Sequence, residues 1–118
     1  MKYKDFANSI TSDRMTVEDV GVIQEHVIRL LQTNKGEVLD DPDYGSNLRS
    51  ALYEVLNPVT VAFIQMEVKR AITTWEPRVN VLGVQVDRLD DYSLVLSLSL
   101  YVPEFDAYID FDVMVRKG

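Results

Sequence analysis

Ile72-Thr73-Thr74-Trp75-Glu76-Pro77-Arg78-Val79-Asn80-Val81 is the stretch in which the chain changes its hydrophobic period. Up to Trp75 the apolar residues recur at helical spacing. Val61, Ile64, Val68, Ala71, Ile72 and Trp75 form one stripe, while Gln65, Glu67, Lys69, Arg70 and Thr73 lie mostly off it. Asn57 suits the N-cap of this helix, and Pro58 suits its first position, where no amide donor is needed. Pro77 ends it, because the residue before a proline is pushed out of the helical region. Beyond Pro77 the period is two. Val79 and Val81 alternate, and so do Val84 and Val86, but the pairs are out of phase, which predicts a β-bulge at Leu82-Gly83.

Downstream, Arg88-Leu89-Asp90-Asp91 reads as a turn. Leu94, Leu96, Leu98, Leu100 and Val102 then alternate with smaller or polar residues, as in a strand with one buried face. After a turn at Pro103 to Asp106, a third strand places Ile109, Phe111, Val113 and Val115 on one side. Upstream, Thr16-Val17-Glu18-Asp19 matches a relaxed capping box. Val20, Ile23, Val27, Leu30 and Leu31 give the first helix its stripe, and Asn34-Lys35-Gly36 supplies a stop. Asp40 to Gly45 is dense in turn formers. A short helix is expected from about Ser46 to Leu56, burying Leu48, Leu52, Val55 and Leu56. Residues 1–16 lack periodicity and read as an N-terminal arm.

This order predicts a single α+β domain over residues 1–118. Three N-terminal helices should cover one face of a C-terminal three-stranded antiparallel β-meander. Such a meander has two edges. They accept a strand from another chain unless loops or the arm cover them.

The chain has 118 residues, 47% of them hydrophobic, and a net charge of -7 from 12 basic and 19 acidic side chains. That sign argues against nucleic acid and anionic membranes as partners. No apolar run is long enough for a membrane-spanning helix. No signal peptide is expected, and the absence of cysteine fits synthesis in the cytoplasm. No cofactor fingerprint is present. Asp40, Asp41 and Asp43 lack the rest of a calcium loop and read as a solvated acidic turn. His26, without a second histidine or cysteine, is a poor zinc ligand and is expected at the flank of the first helix. Tyr92, Tyr101 and Tyr108 read as ordinary strand residues or, alternatively, as a sheet-surface patch.

Glu76-Pro77-Arg78 stands apart. In extended backbone, residues two apart point the same way, so Glu76 and Arg78 can present an acid and a planar fork of donors together, with Pro77 stiffening the backbone between them. The alternative is a local surface ion pair contributing at most roughly 1 kcal/mol, which is the commoner arrangement. Since Arg78 lies at a junction, Arg78→Ala is expected to leave the isolated domain folded.

The segment resembles the Glu-Pro-Arg signature of the gene-25-like baseplate wedge family of contractile phage tails, type VI secretion baseplates and related injection systems. Leu31 to Glu37 is similar to that family's first-helix end. Pro42-Asp43-Tyr44-Gly45-Ser46-Asn47-Leu48 is similar to its Pro-x-(Tyr/Phe)-Gly-x-x-Leu segment, and Asp90 to Leu94 to its hairpin. Val38 departs from the arginine common at that position. The similarity covers roughly residues 17 to 115.

The resemblance implies a non-enzymatic subunit of the virion, without cofactor or metal. Glu76, Pro77 and Arg78 would dock onto the helical core bundle of the large baseplate wedge proteins. The sheet, through the edge strand bearing Tyr108, Asp110, Asp112 and Met114, would template the first ring of tail sheath protein by strand exchange. Phage membership is expected, because secretion-system relatives often carry a longer N-terminal extension. The competing reading is a cell-wall glycoside hydrolase of lysozyme type. It needs two carboxylates flanking a sugar cleft, one with a raised pKa, and no such pair is marked out here. A regulatory adaptor of the same fold is a third reading.

Overall fold

The structure is a computed structural model that describes residues 9–10 and 16–116. The order is strand β1 (Ser9–Ile10), helices α1 (Val17–Gln32), α2 (Leu48–Ala51) and α3 (Pro58–Trp75), then strands β2 (Asn80–Asp90), β3 (Ser93–Val102) and β4 (Ala107–Arg116). A 3-10 turn, Pro103–Phe105, separates β3 from β4. The α+β expectation holds: three helices precede an antiparallel β2-β3-β4 meander. Two residues of β1 join beyond β4, giving a sheet of order β1-β4-β3-β2. The rest of the expected N-terminal arm lies outside the described residues.

Local chemistry sets the helix ends. Thr16 closes a reciprocal capping box, its hydroxyl accepting from the Asp19 amide while the Asp19 carboxylate accepts from the Thr16 amide. Asn57 caps α3 by accepting from the Thr60 amide, with Pro58 in the first turn. At the far end of α1 the cap is Thr33, whose hydroxyl donates to the Arg29 carbonyl. Gly36, expected near this stop, serves the following turn instead with φ of 92°.

The second helix is shorter than its apolar spacing suggested. It ends at Ala51, and Val55 is 76% exposed rather than buried. The chain must be extended by Asn57 to form the α3 cap, which leaves Val55 and Leu56 outside any helix. The bulge falls where the phase slip placed it, between Val81 and Gly83, and a second register shift lies between Arg88 and Asp90. The first hairpin turns at Asp91 and Tyr92, later than the expected turn, with the Tyr92 amide donating to the Asp90 carboxylate.

α1 lies across β4, and α3 lies across β2. Beneath them Leu94, Leu96, Leu98 and Leu100 of β3 and Ile109 of β4 are essentially inaccessible. Each such side chain contributes about 2 kcal/mol relative to an exposed one. They meet Val20, Ile23, Val27, Leu30 and Leu31 of α1 and Ile64, Val68, Ala71 and Ile72 of α3 in one core. Among the described residues none covers the opposite face of the sheet, where alternate side chains of β4 are exposed.

Candidate functional site

The site grows out of the end of α3. The helix closes at Glu76, whose amide donates to the Ile72 carbonyl at 2.8 Å, and the backbone turns through Pro77 and Arg78 into β2. This turn brings the Arg78 guanidinium back onto the Glu76 carboxylate. Nε donates to Oε1 at 2.5 Å and Nη2 donates to Oε2 at 2.7 Å. The two side chains differ sharply in exposure, 5% for Glu76 against 41% for Arg78. The pair is therefore not the exposed ion pair of the simpler sequence reading. It has an anchor set into the domain and a charged fork at the surface.

His26 of α1 completes the arrangement. Its Nδ1 lies 3.3 Å from Glu76 Oε2 and 2.9 Å from Arg78 Nη2. Neutral histidine can accept there from Arg78, and protonated histidine can donate to Glu76. Burial by itself would raise the Glu76 pKa. The hydrogen bonds and charge of Arg78, helped by His26, outweigh it and hold the carboxyl below its ordinary value. Glu76 stays an anion at neutral pH.

The other segments of the family resemblance meet beside this junction. The Ser46 amide donates to the Thr33 carbonyl at 2.9 Å, and the Ser46 hydroxyl donates to the Leu31 carbonyl at 3.0 Å. Gly45 has φ of 113°, and a Cβ there would lie 2.6 Å from the Thr33 oxygen. Only glycine lets the loop close this tightly. Tyr44, next to it, stacks edge-on against Trp75 with ring centroids 5.2 Å apart. A shallow cleft of about 230 Å³ lies between His26, Arg29, Leu30, Tyr44, Trp75 and Glu76.

Glu67, read from sequence as a polar residue beside the α3 stripe, is buried. Its carboxylate accepts from Arg70 Nε at 3.0 Å and Nη2 at 2.8 Å, and from the Asn47 amide at 2.7 Å. Arg70 also reaches the Gly45 carbonyl. Burial would again raise this carboxyl, and the Arg70 and Asn47 bonds bring it below its ordinary value. Glu67 thus ties the loop before α2 to α3. Its signal in sequence was its place at the border of the buried stripe, with Arg70 one turn on. His26 carried no comparable signal, because its partners lie 50 and 52 residues away.

Tyr108, Asp110, Asp112 and Met114 line the open face of β4, alternating with buried neighbours. The β4 edge itself is partly taken. Ser9 and Ile10 pair with Asp110 and Ile109, and Gln32 Nε2 of α1 donates to the Met114 carbonyl at 2.9 Å. Among the described residues no strand pairs with the outer edge of β2, where Gln65 donates to the Val84 carbonyl at 3.0 Å. Tyr101 and Tyr108 stack across strands with centroids 4.9 Å apart, whereas Tyr92 sits at the other end of β3. Among the described residues no three His, Asp or Glu side chains gather as a metal site, and Asp40, Asp41 and Asp43 lie in the exposed loop.

A small α+β domain with an open sheet face and a charged fork at its helix-to-sheet junction has the form of an assembly subunit. Residues 17–102 match the family described as baseplate wedge protein gp25, and the chain belongs to that family. It is 30% identical over 81 residues to the baseplate wedge protein gp25 of Enterobacteria phage T4, covering 68% of this chain and 61% of that protein. The match therefore spans about three fifths of the phage T4 relative. It is 31% identical over 88 residues to baseplate protein W of Escherichia phage P2, covering 75% of this chain and 76% of the relative.

Among solved structures, a chain of the postcontracted pyocin R2 baseplate matches with a TM-score of 0.63 and 28% identity, over 80% of this chain and 98% of that one. A Geobacter sulfurreducens protein described as a candidate tail lysozyme matches with a TM-score of 0.75 over 92% of this chain and 97% of that one. At 24% identity it bears on the fold alone. The family and both phage relatives are named for the baseplate, not for a hydrolase.

Proposed function

We propose that this chain is a structural, non-enzymatic subunit of a contractile-tail baseplate wedge, acting in the virion as one domain over residues 1–118. It docks on the large wedge proteins through the Glu76-Pro77-Arg78 junction. The observation that carries this reading is the asymmetry of the Glu76–Arg78 fork: a buried carboxylate orients an arginine that remains 41% exposed. The roles within the motif are therefore unequal. Arg78 offers its free guanidinium edge to partner carboxylates or carbonyls, while Glu76 and Pro77 position it.

Membership of the baseplate wedge family and the phage origin of both curated relatives support the assignment. The buried carboxylates support a non-enzymatic role. Glu67 and Glu76 are both held ionised by arginines, whereas a glycoside hydrolase needs one carboxyl kept protonated by a raised pKa.

The sheet supplies the second contact, to the first sheath ring by strand exchange. The outer edge of β2, free of any paired strand among the described residues, suits this better than the partly occupied β4 edge. This moves the contact away from Tyr108, Asp110, Asp112 and Met114, which lie on β4, on the far side of β3 from that edge.

Co-purification with the large wedge proteins from the same gene cluster tests the docking. Arg78→Lys keeps the charge and loses the planar fork. It should weaken association at least tenfold while the circular dichroism spectrum is unchanged. Undiminished association in both Arg78→Lys and the Glu76→Gln/Arg78→Ala double variant would overturn the docking role.

A further inference from the structure

α3 is apolar on two sides. One side enters the core. The opposite side carries Val59, Ala62, Phe63 and Met66 at spacings of three and four residues, which aligns them on one stripe. Val59 is 79% exposed, Phe63 42% and Met66 72%. No charged residue occurs between Pro58 and Met66, in a chain of which 26% is charged. Depletion of charge around large apolar side chains is the composition of an interface centre. On the same face one turn further, the exposed Lys69 follows. Arg70, beside it, is already paired with the buried Glu67 and the Gly45 carbonyl. The outward face of α3 thus runs from apolar to cationic at Lys69, on a chain of net charge -7.

We infer that this face of α3 is a second docking surface and that its occupant is an amphipathic helix of another protein, apolar along two turns and acidic along the next. A helix fits because the stripe is a ridge of residues at positions i, i+3, i+4 and i+7, the pattern that interlocks with a facing helix. From Val59 to Met66 the stripe is only about 10 Å long. It covers far less than the roughly 800 Å² per partner of a self-sufficient interface, so it serves as one contact within a larger assembly.

A second copy of this chain is a poor occupant. Antiparallel pairing centred on the stripe sets Lys69 opposite Leu56, an apolar residue beyond the N-terminus of the helix. Parallel pairing sets cation on cation. An acidic turn on a different helix answers both.

The inference rests on the baseplate reading, and its test separates the two. The photo-crosslinking residue p-benzoylphenylalanine is placed at position 66, and separately at position 59, in tails assembled from the complete gene cluster. The expected result is an adduct to a different baseplate chain, at two helical sites about seven residues apart, with Asp or Glu one turn beyond the site reached from position 66. An adduct to another copy of this chain, or to a non-helical segment, overturns the inference. So does the absence of an adduct in particles that contain the chain. Absence of the chain from the particles would overturn the baseplate reading and this inference with it. Phe63→Glu/Met66→Glu should lower incorporation at least tenfold with the thermal midpoint unchanged, while Met66→Leu should incorporate normally. Normal incorporation of the double glutamate variant would equally overturn it.

Discussion

Arg78 grips both carboxylate oxygens of Glu76, with Nε 2.5 Å from Oε1 and Nη2 2.7 Å from Oε2, and only the arginine reaches solvent. Removing the arginine leaves a buried carboxylate with His26 as its remaining side-chain partner. The sequence expectation was that Arg78→Ala leaves the isolated domain folded, and the pairing adds that the variant should be less stable than the parent. Breaking a fully buried pair costs about 3–5 kcal/mol. Water at the exposed arginine side reduces that to about 1–3 kcal/mol. Glu76→Gln in the Arg78→Ala background should recover part of the loss, because the amide carries no charge to leave unpaired. Urea unfolding of the four proteins in a double-mutant cycle measures the coupling. A coupling near zero would mean that the fork does not stabilise the junction.

The same pairing makes the fold acid-sensitive. Glu67 and Glu76 both have folded pKa values below their ordinary 4.5. A carboxyl of lowered pKa contributes stability that is complete above its unfolded value and disappears as pH falls through its folded value. Stability should thus hold steady from neutral pH to about 5, then decline steeply below about 4.5 as these groups are forced to take up protons. Unfolding free energies measured between pH 7 and 3 should show a shallower decline in the Glu67→Gln/Glu76→Gln double variant than in the parent. Parallel curves would place the acid sensitivity elsewhere.

Gly45 and Gly83 should respond oppositely to alanine. At Gly45 the backbone is left-handed, and the added carbon would meet the Thr33 carbonyl oxygen at 2.6 Å. Gly45→Ala should cost about 2 kcal/mol or more and loosen the loop that carries Tyr44 to Trp75. At Gly83, in the β2 bulge, an added Cβ meets nothing within 4 Å. Gly83→Ala should be neutral or stabilising by up to about 0.5 kcal/mol, through reduced freedom of the unfolded chain. Thermal denaturation of the two variants checks both signs.

Much of this was legible in the sequence because periodicity and capping are local. The shift of period across Pro77 located the end of α3, and the phase slip at Leu82-Gly83 located the bulge. α2 was overestimated because apolar spacing through Val55 cannot register the demand of the α3 cap for extended backbone at Asn57. At the site, the sequence singled out Glu76 and Arg78 but not their unequal burial. That inequality depends on α1 lying beside the junction and delivering His26. Glu67 was missed for a related reason: a carboxylate on a helix border reads as solvated until the loop at Asn47 is known to close over it.

The two sheet edges lead to the last prediction. The family resemblance pointed to the β4 edge, but Ser9 and Ile10 occupy part of it, while β2 carries the exposed Leu82 at its bulge. A charge on an edge discourages strand addition. Leu82 is 58% exposed, so Leu82→Lys should leave the fold intact. If sheath strands add to β2, baseplates built with Leu82→Lys should carry sheath much less often in electron micrographs, while wedge association stays normal. Asp112→Lys, on the open face of β4, should nucleate sheath like the parent. The reverse pattern would move the strand exchange to β4, with the Ser9–Ile10 pairing displaced by the incoming strand. Loss of wedge association in Leu82→Lys would instead place the β2 edge against the wedge.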